Sequence, residues 1–200
     1  MAAMNFNQID FKVKKIMTRE RYHHSWQVSK VAEEMAEYYH ISAEKAKILG
    51  LIHDCAKDYS IIYLKELISK YNIHLSHIEK NIPSLWHAYV GAEIVRELFK
   101  VQDQEMLDAI RFHSTASSNL GLLGKIVYIA DKIEPGREMQ KLNKVRELVW
   151  RDIDQAMLEL INQGLRHLIS RNLLIHPITL QARNKIIFEQ KERSDNGKIR

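Results

Sequence analysis

The sequence has little of the material from which disulfide-stabilised, all-β or membrane proteins are built. It contains one cysteine, three prolines and seven glycines in 200 residues. A single cysteine excludes an internal disulfide and suits a reducing compartment. So few prolines and glycines cannot supply the many tight turns of an all-β domain. The chain also lacks a run approaching a membrane span and an N-terminal signal pattern, so we expect a cytoplasmic protein without membrane contacts.

The composition favours one globular domain with an anionic partner. Hydrophobic residues make up 46% of the chain, which is enough for a sizeable core. We expect a single domain at residues 1–190 and a disordered polar tail at 191–200. The formal charge of +5 favours an anion such as a polyphosphate ester or a nucleic acid. Because the basic residues are dispersed among acids and no aromatic-rich strand is visible, specific nucleic-acid binding is the weaker interpretation.

The hydrophobic pattern has the period of α-helices almost throughout, and hardly any segment alternates with period two. We therefore predict an all-α fold. Ser42 and Asp103 are expected to begin helices as N-caps, and Pro135-Gly136 is expected to end one. The predicted helices span residues 6–17, 25–39, 43–56, 61–71, 85–99, 106–113, 122–133, 143–170 and 180–189, with loops at 114–119 and 174–179.

A histidine–aspartate pair lies within an apolar helical stretch. His53 and Asp54 belong to the run LIHDCAK at residues 51–57. Burying a neutral imidazole beside a carboxylate costs free energy unless something pairs with both, and a divalent metal ion is such a partner. Other apolar helical patterns contain further candidate ligands, namely His24, His87, His113 and Asp131. Because facing helices of a bundle each project side chains inward, this dispersal predicts a metal site in a bundle core.

The candidate ligands restrict the kind of metal and its chemistry. Imidazoles and carboxylates suit iron, manganese, zinc or another first-row ion, whereas the absence of paired thiolates argues against structural zinc. Such an ion lowers the pKa of bound water and so provides a nucleophile near neutral pH. This order of ligands is typical of metal-dependent hydrolysis at phosphorus.

Several motifs together give the chain a specific resemblance. They are RYHHS at residues 21–25, LIHDCAK at 51–57, HA at 87–88, AIRFH at 109–113, IADKIEPGR at 129–137 and LIHPIT at 174–179. With these motifs the chain resembles the HD-domain phosphohydrolases, and within that superfamily the YqeK-like group. The resemblance covers nearly the whole chain.

The resemblance implies a helical bundle with a transition metal, most often iron, and symmetrical hydrolysis of diadenosine tetraphosphate to two ADP. It implies metal ligands at His24, His53, Asp54 and Asp131, and catalytic roles for Asp54, Lys57, His87 and His113. Implied nucleotide or phosphate contacts are Arg21, Asp54, Cys55, Ala56, Lys57, His87, His113, Ser114, Thr115, Asp131 and Arg137, and the loop Leu174, Ile175, His176, Pro177, Ile178 and Thr179.

Several alternatives stay open at the level of sequence. His87 and His113 either hold a second metal or contact phosphate; one metal with two phosphate-facing histidines is the preferred version. Ala116 stands where the family pattern has glycine, and alanine adopts a positive φ less easily than glycine does. Another nucleotidase or phosphodiesterase of the superfamily remains an alternative, as does a non-catalytic nucleotide-binding regulator. The expected partners are a nucleoside polyphosphate substrate and a nucleoside diphosphate product, with a possible homodimer through the apolar faces of helix 143–170.

Overall fold

The computed structural model describes residues 4–137 and 142–197, and within these ranges every regular element is helical. The α-helices in chain order are α1 (Phe6–Ile16), α2 (Arg19–Tyr38), α3 (Ala43–Ile52), α4 (Ile61–Lys70), α5 (His77–Lys80), α6 (Trp86–Leu98), α7 (Gln104–Phe112), α8 (Leu122–Ile133), α9 (Asn143–Leu148), α10 (Ile153–Ser170) and α11 (Pro177–Gly197). A 3₁₀ turn at Pro83–Leu85 precedes α6. The predicted all-α fold is confirmed.

Most helices begin where a polar side chain can satisfy the free backbone N–H groups of the first turn. Ser42 and Asp103 cap α3 and α7, as the sequence predicted. The short helix α5 was not predicted, although Ser76 and Glu79 form a capping box at its start. The spacing Ser-x-x-Glu was therefore a signal in the sequence that could have identified this helix.

The predicted single helix at 143–170 is wrong, because the chain forms two helices there. Asp152 has an extended backbone and caps α10 by accepting a hydrogen bond from the backbone N–H of Gln155 at 2.9 Å. The hydroxyls of Tyr38 and Tyr39 donate to the carbonyls of Trp150 and Val149, which a continuous helix would use internally. These tertiary bonds to the backbone account for the break.

The apolar face of α10 is used within the chain. Ala156, Met157, Leu160 and Ile161 are buried in the core, and α10 packs against α8, α9 and α11. The homodimer prediction relied on this face being free, so that reason for a homodimer is lost. The homodimer itself stays a prediction.

The last helix is longer than the sequence indicated. It begins at Pro177 rather than at residue 180 and continues to Gly197, through most of the segment that was predicted to be a disordered tail. Buried Ala182 and Ile186 anchor its first half, and Arg193 reaches back to Asp154 at 2.6 Å. This contact attaches the end of α11 to α10; residues 198–200 lie outside the described part, and the bounds of the tail stay a prediction.

The helices α2 and α3 form the most closely packed pair of the bundle, and α8 packs against both. At Gly50 a Cβ atom would lie 2.6 Å from the Ser29 Cα, so only glycine permits this approach of the two backbones. The contact lies about one turn from His24 in α2 and from His53 at the end of α3, so it holds these two residues near each other. Among the described residues, no helix has both the length and the apolar character that crossing a bilayer requires.

Candidate metal centre and active site

The four predicted metal ligands come from three helices and lie together in the structure. His24 is in α2, His53 is the C-cap of α3 with Asp54 next to it, and Asp131 is in the last turn of α8. Asp131 Oδ1 lies 3.1 Å from His24 Nε2 and 3.7 Å from His53 Nε2. Asp54 Oδ2 lies 3.7 Å from His53 Nε2. One compact group of imidazole nitrogens and carboxylate oxygens results.

In the neutral form of His53, Nε2 has a lone pair that faces into the site. Its Nδ1–H donates to the Gly50 carbonyl at 2.8 Å, so in the neutral ring Nε2 carries no proton. Within the part of the chain that the structure describes, His53 Nε2 and Asp54 Oδ1 are both buried and have no hydrogen-bond partner. Two buried acceptors without a donor are costly. A bound cation would satisfy both, so these residues fit a divalent metal ion.

A second group of acceptors lies on the other side of Asp54. His87 and His113 donate their Nδ1–H groups to the Ser84 and Ile110 carbonyls, each at 2.7 Å, which turns both Nε2 atoms inward. These two nitrogens are 3.2 Å apart and lie 3.2 and 3.1 Å from Asp54 Oδ1, respectively. The Asp54 carboxylate thus faces one group of imidazoles with each of its oxygens.

The electrostatics keep both groups rich in acceptors. Burial lowers the pKa of His87 to about 4, so this imidazole is neutral near pH 7. Asp54 keeps its negative charge beside the guanidinium of Arg21, whose Nη1 lies 2.8 Å from Asp54 Oδ2. The Ser114 hydroxyl lies 3.1 Å from His113 Nε2 and is placed to donate to it.

Four cationic side chains surround these acceptors. Arg21 Nη1 lies 2.8 Å from Asp54 Oδ2, and Arg137 Nη2 lies 3.2 Å from Asp131 Oδ1. Lys57 Nζ is 3.4 Å from His87 Nε2, and burial lowers the pKa of its ammonium. Lys132 Nζ is 3.2 Å from Asp131 Oδ2. These four cations offset the nearby carboxylates of Asp54, Asp58, Asp131 and Glu134, so a bound divalent ion would give the site the positive charge that suits a polyanion.

Two residues of this site were missed by the sequence analysis, although both lie in the motif IADKIEPGR. Lys132 donates to the His113 carbonyl at 3.0 Å and so connects α8 to the end of α7. Glu134 is buried, and its Oε1 lies 3.2 Å from His24 Nδ1. The available signal was helical spacing, because Glu134 follows Asp131 by three residues and shares its face.

The structure does not bring the side chains of Cys55 and Ala56 to an accessible surface. Both are buried in the core, and the Cys55 thiol lies 3.8 Å from the Gly91 carbonyl. Burial raises the pKa of this thiol to about 12, so it is not a nucleophile. A nucleotide contact at these two positions would have to come from backbone atoms.

The loop predicted to bind the nucleoside lies next to the turn that follows His113. The Thr179 hydroxyl donates to the Thr115 carbonyl at 2.8 Å. His176 is occupied: Nε2 lies 3.2 Å from Glu79 Oε1, and Nδ1 accepts the Ile178 N–H at 3.1 Å. Of the remaining loop residues, Pro177, Ile178 and Thr179 form the first turn of α11. Leu174 is exposed, and Ile175 packs against the core.

The backbone of that turn has a conformation that glycine adopts more easily than any other residue. Ala116 has φ 64°, in the left-handed region, and its side chain is fully buried. An L-residue pays about 1–2 kcal/mol for this conformation. The turn therefore keeps the shape that glycine would allow, at some cost in stability.

Comparisons with known proteins agree with this geometry. The sequence profile described as "HD domain" matches residues 21–136. A protein of Bacillus subtilis named bis(5'-nucleosyl)-tetraphosphatase, symmetrical, is 35% identical over 88% of this chain and 94% of its own length. A protein of the same name from Halalkalibacterium halodurans is 34% identical over 90% of this chain and 95% of its own length.

A solved structure has the same fold. It is the crystal structure of a predicted HD superfamily hydrolase involved in NAD metabolism from Clostridium acetobutylicum, with a TM-score of 0.89 and 31% sequence identity. The alignment covers 94% of this chain and all of that chain. With the profile match across the metal centre and these full-length relatives, the chain belongs to the HD-domain family, in the group that contains the two tetraphosphatases.

Proposed function

We propose that this protein is a metal-dependent hydrolase that cleaves diadenosine tetraphosphate symmetrically into two ADP molecules. The observation that carries the proposal is the position of Asp54, whose two oxygens face two groups of inward-turned imidazoles. The cations around that carboxylate support a polyphosphate as the ligand. The relatives from B. subtilis and H. halodurans, which carry the name of this activity, align over nearly their whole length.

The proposed ligands of the metal are His24, His53, Asp54 and Asp131, and the proposed metal is iron. Two imidazoles and two carboxylates without a thiolate suit iron or a similar first-row ion. When bound, the ion supplies Lewis acidity toward phosphoryl oxygens and lowers the pKa of water. His87 and His113 are proposed to face the phosphate rather than to hold a second ion.

The protein's own residues supply binding and proton transfer in this proposal. Arg21, Arg137 and Lys132 each contact a carboxylate of the site and can turn to phosphate oxygens when the substrate arrives. Asp54 Oδ1, which has no donor in the described part of the chain, is placed to accept a proton from the attacking water.

The leaving phosphate needs a proton donor, and two residues at the second group of acceptors are proposed for this role. Lys57 lies beside His87, and the lowered pKa of its ammonium makes it a better acid than an exposed lysine. His113, whose Nε2 lies 3.2 Å from His87 Nε2, is proposed to act in its protonated form, with the additional proton on Nε2. Both side chains are close to Asp54, so the proposed proton donors and the proposed proton acceptor lie beside the same position for a phosphate.

Cleavage at the centre of the tetraphosphate follows if the nucleoside is held at the loop Leu174 to Thr179. That loop is bonded to the turn after His113, so a nucleoside there would lie beside the second group of acceptors. The neighbouring cations suffice to bind two phosphates on the anchored side, which would place the second phosphorus at the metal. We therefore propose nucleoside diphosphates as products and as inhibitors.

Product chromatography tests the proposal. Purified protein should convert diadenosine tetraphosphate to ADP alone, and a chelator should abolish the reaction until metal is restored. Formation of AMP and ATP would contradict symmetrical cleavage. Faster release of phosphate from nucleoside monophosphates would instead identify a nucleotidase of the same family, and binding without turnover would identify a regulator.

A further inference from the structure

The four imidazoles that point into the site differ in how their outer nitrogen is held. In His53, His87 and His113 the Nδ1–H donates to the backbone carbonyl three residues earlier. His24 instead places Nδ1 3.2 Å from the carboxylate oxygen Oε1 of Glu134. Among the imidazoles of the described site, His24 is thus the one whose outer partner is an anionic side chain.

The Glu134 carboxylate is itself held in place. It is 4% exposed, and its second oxygen, Oε2, accepts the Gly136 backbone N–H at 2.5 Å. Arg137 Nε lies 3.7 Å from Oε1, and the same guanidinium contacts Asp131. Glu134 therefore contacts a proposed metal ligand and a proposed phosphate-binding cation at the same time.

The turn after α8 is shaped around this carboxylate. A Cβ atom at Gly136 would lie 2.9 and 3.0 Å from the two Glu134 oxygens, so glycine leaves room for the carboxylate. Arg146 of α9 donates to the carbonyls of Glu134 and Arg137 at 3.2 and 3.0 Å. The turn is thus fixed from outside by α9 and from inside by Glu134.

We infer that Glu134 is a positioning residue that orients His24 for the metal. Its carboxylate fixes the tautomer in which Nε2 is free to bind, and its charge raises the affinity of that nitrogen for a cation. Such outer carboxylates are worth about 10- to 100-fold in metal affinity. The inference rests on the metal site of the proposed function, and it assigns a role to the glutamate of the IADKIEPGR motif.

Chelator competition with Glu134→Gln tests this assignment. Glutamine keeps the size and the hydrogen-bond acceptor but removes the charge, so we expect the metal dissociation constant to rise about 10- to 100-fold. The d–d absorption spectrum of Co²⁺-loaded protein should change as well, because it reports the orientation of the ligands. Asp154→Asn is the matched control, since it neutralises another buried carboxylate that lies in a separate ion-pair network.

The control should leave both the affinity and the spectrum unchanged. Gly136→Ala provides a second variant that keeps every charge; its methyl group would press on the Glu134 carboxylate, and we expect an intermediate loss of affinity. Equal metal affinity and identical spectra in wild type, Glu134→Gln and Gly136→Ala would overturn the assignment. If the wild type itself binds no metal, the proposed function fails, which is a different result from equal affinities.

Discussion

Two regions of this bundle contain buried carboxylates whose hydrogen-bond partners differ. In the region of α8, α10 and α11, Asp154 pairs with Lys125 at 2.5 Å and with Arg193 at 2.6 Å. Both of its oxygens therefore have a charged donor. In the region of α2, α3 and α8, Asp54 Oδ1 has no hydrogen-bond donor among the described residues, and the Nε2 atoms of His87 and His113 face it.

These partners indicate that Asp154 has a structural role, whereas Asp54 is placed to bind a ligand. Donors from the protein alone satisfy Asp154, and its removal should affect folding. The metal-centre region instead collects acceptors that the protein leaves unpaired, at a cost to stability that a bound cation offsets. The following predictions test this contrast, beginning with the largest effect.

Replacing His53 or Asp131 with alanine should remove the metal and lower kcat/KM by about 10³-fold or more, because each is one of four proposed ligands. Metal analysis and steady-state assays of the same preparations check this. If either variant retained wild-type metal content and turnover, the proposed ligand set would be wrong.

Replacing His87 or His113 with alanine should lower kcat by about 10²- to 10⁴-fold, the range of acid–base and phosphate-binding groups, while the tightly bound metal stays. Elemental analysis beside the kinetic assay separates the two effects. Loss of all metal from both variants would favour a two-metal cluster over the preferred single ion.

Asp154→Asn should destabilise the fold by about 1 kcal/mol and leave kcat/KM unchanged, because it weakens a partly buried ion-pair network remote from the metal ligands. Urea unfolding and the diadenosine tetraphosphate assay measure the two quantities. Destabilisation with a parallel loss of kcat/KM would remove the distinction between the two regions.

The same variant has a predictable dependence on pH. Burial would raise the pKa of Asp154, but Lys125 and Arg193 lower it below the ordinary value of 3.8. A carboxyl group with a lowered native pKa stabilises the fold above its unfolded pKa, and this stability is lost as the pH falls through the native value. Between pH 5 and pH 2, taken as roughly the span of such a titration, the wild type should therefore lose more stability than Asp154→Asn. Equal losses of unfolding free energy in the two proteins would show that the ion pairs of Asp154 do not contribute to folding stability.

Ala116→Gly should have the smallest effect, a change in unfolding free energy below about 1 kcal/mol. Relief of the left-handed strain is offset by the loss of a buried methyl group and by the larger unfolded-state entropy of glycine. Thermal or urea unfolding measures it. A loss well above this size would mean that the Ala116 methyl group contributes more to packing than the strain costs.

Sequence reasoning recovered the parts of the fold that depend on local chemistry. Helix α8 was predicted with its observed bounds, because a continuous apolar face and the following Pro135-Gly136 define it. The break before α10 was missed, since it depends on hydroxyls of Tyr38 and Tyr39 more than 100 residues away. Such distant bonds leave no pattern in the local sequence.

The candidate site, like the fold, combines features that the local sequence predicts with features that depend on tertiary packing. The ligand residues were recognisable because six polar side chains interrupt apolar helical patterns. Helical spacing could have placed Glu134 near Asp131, but its contact with His24 could not be predicted, because it depends on how closely α2 approaches the end of α8. The contact between His176 and Glu79 likewise depends on tertiary packing between the start of α11 and α5.

The central claim is that the unpaired acceptors around Asp54 exist to hold a catalytic metal ion. Elemental analysis of the protein as purified, without added metal, tests it most directly. We predict about one equivalent of a transition metal per chain, with iron the main species, because the empty site would leave buried acceptors unpaired. Less than about a tenth of an equivalent, together with no uptake and no activation when iron, manganese or zinc is added, would contradict the account.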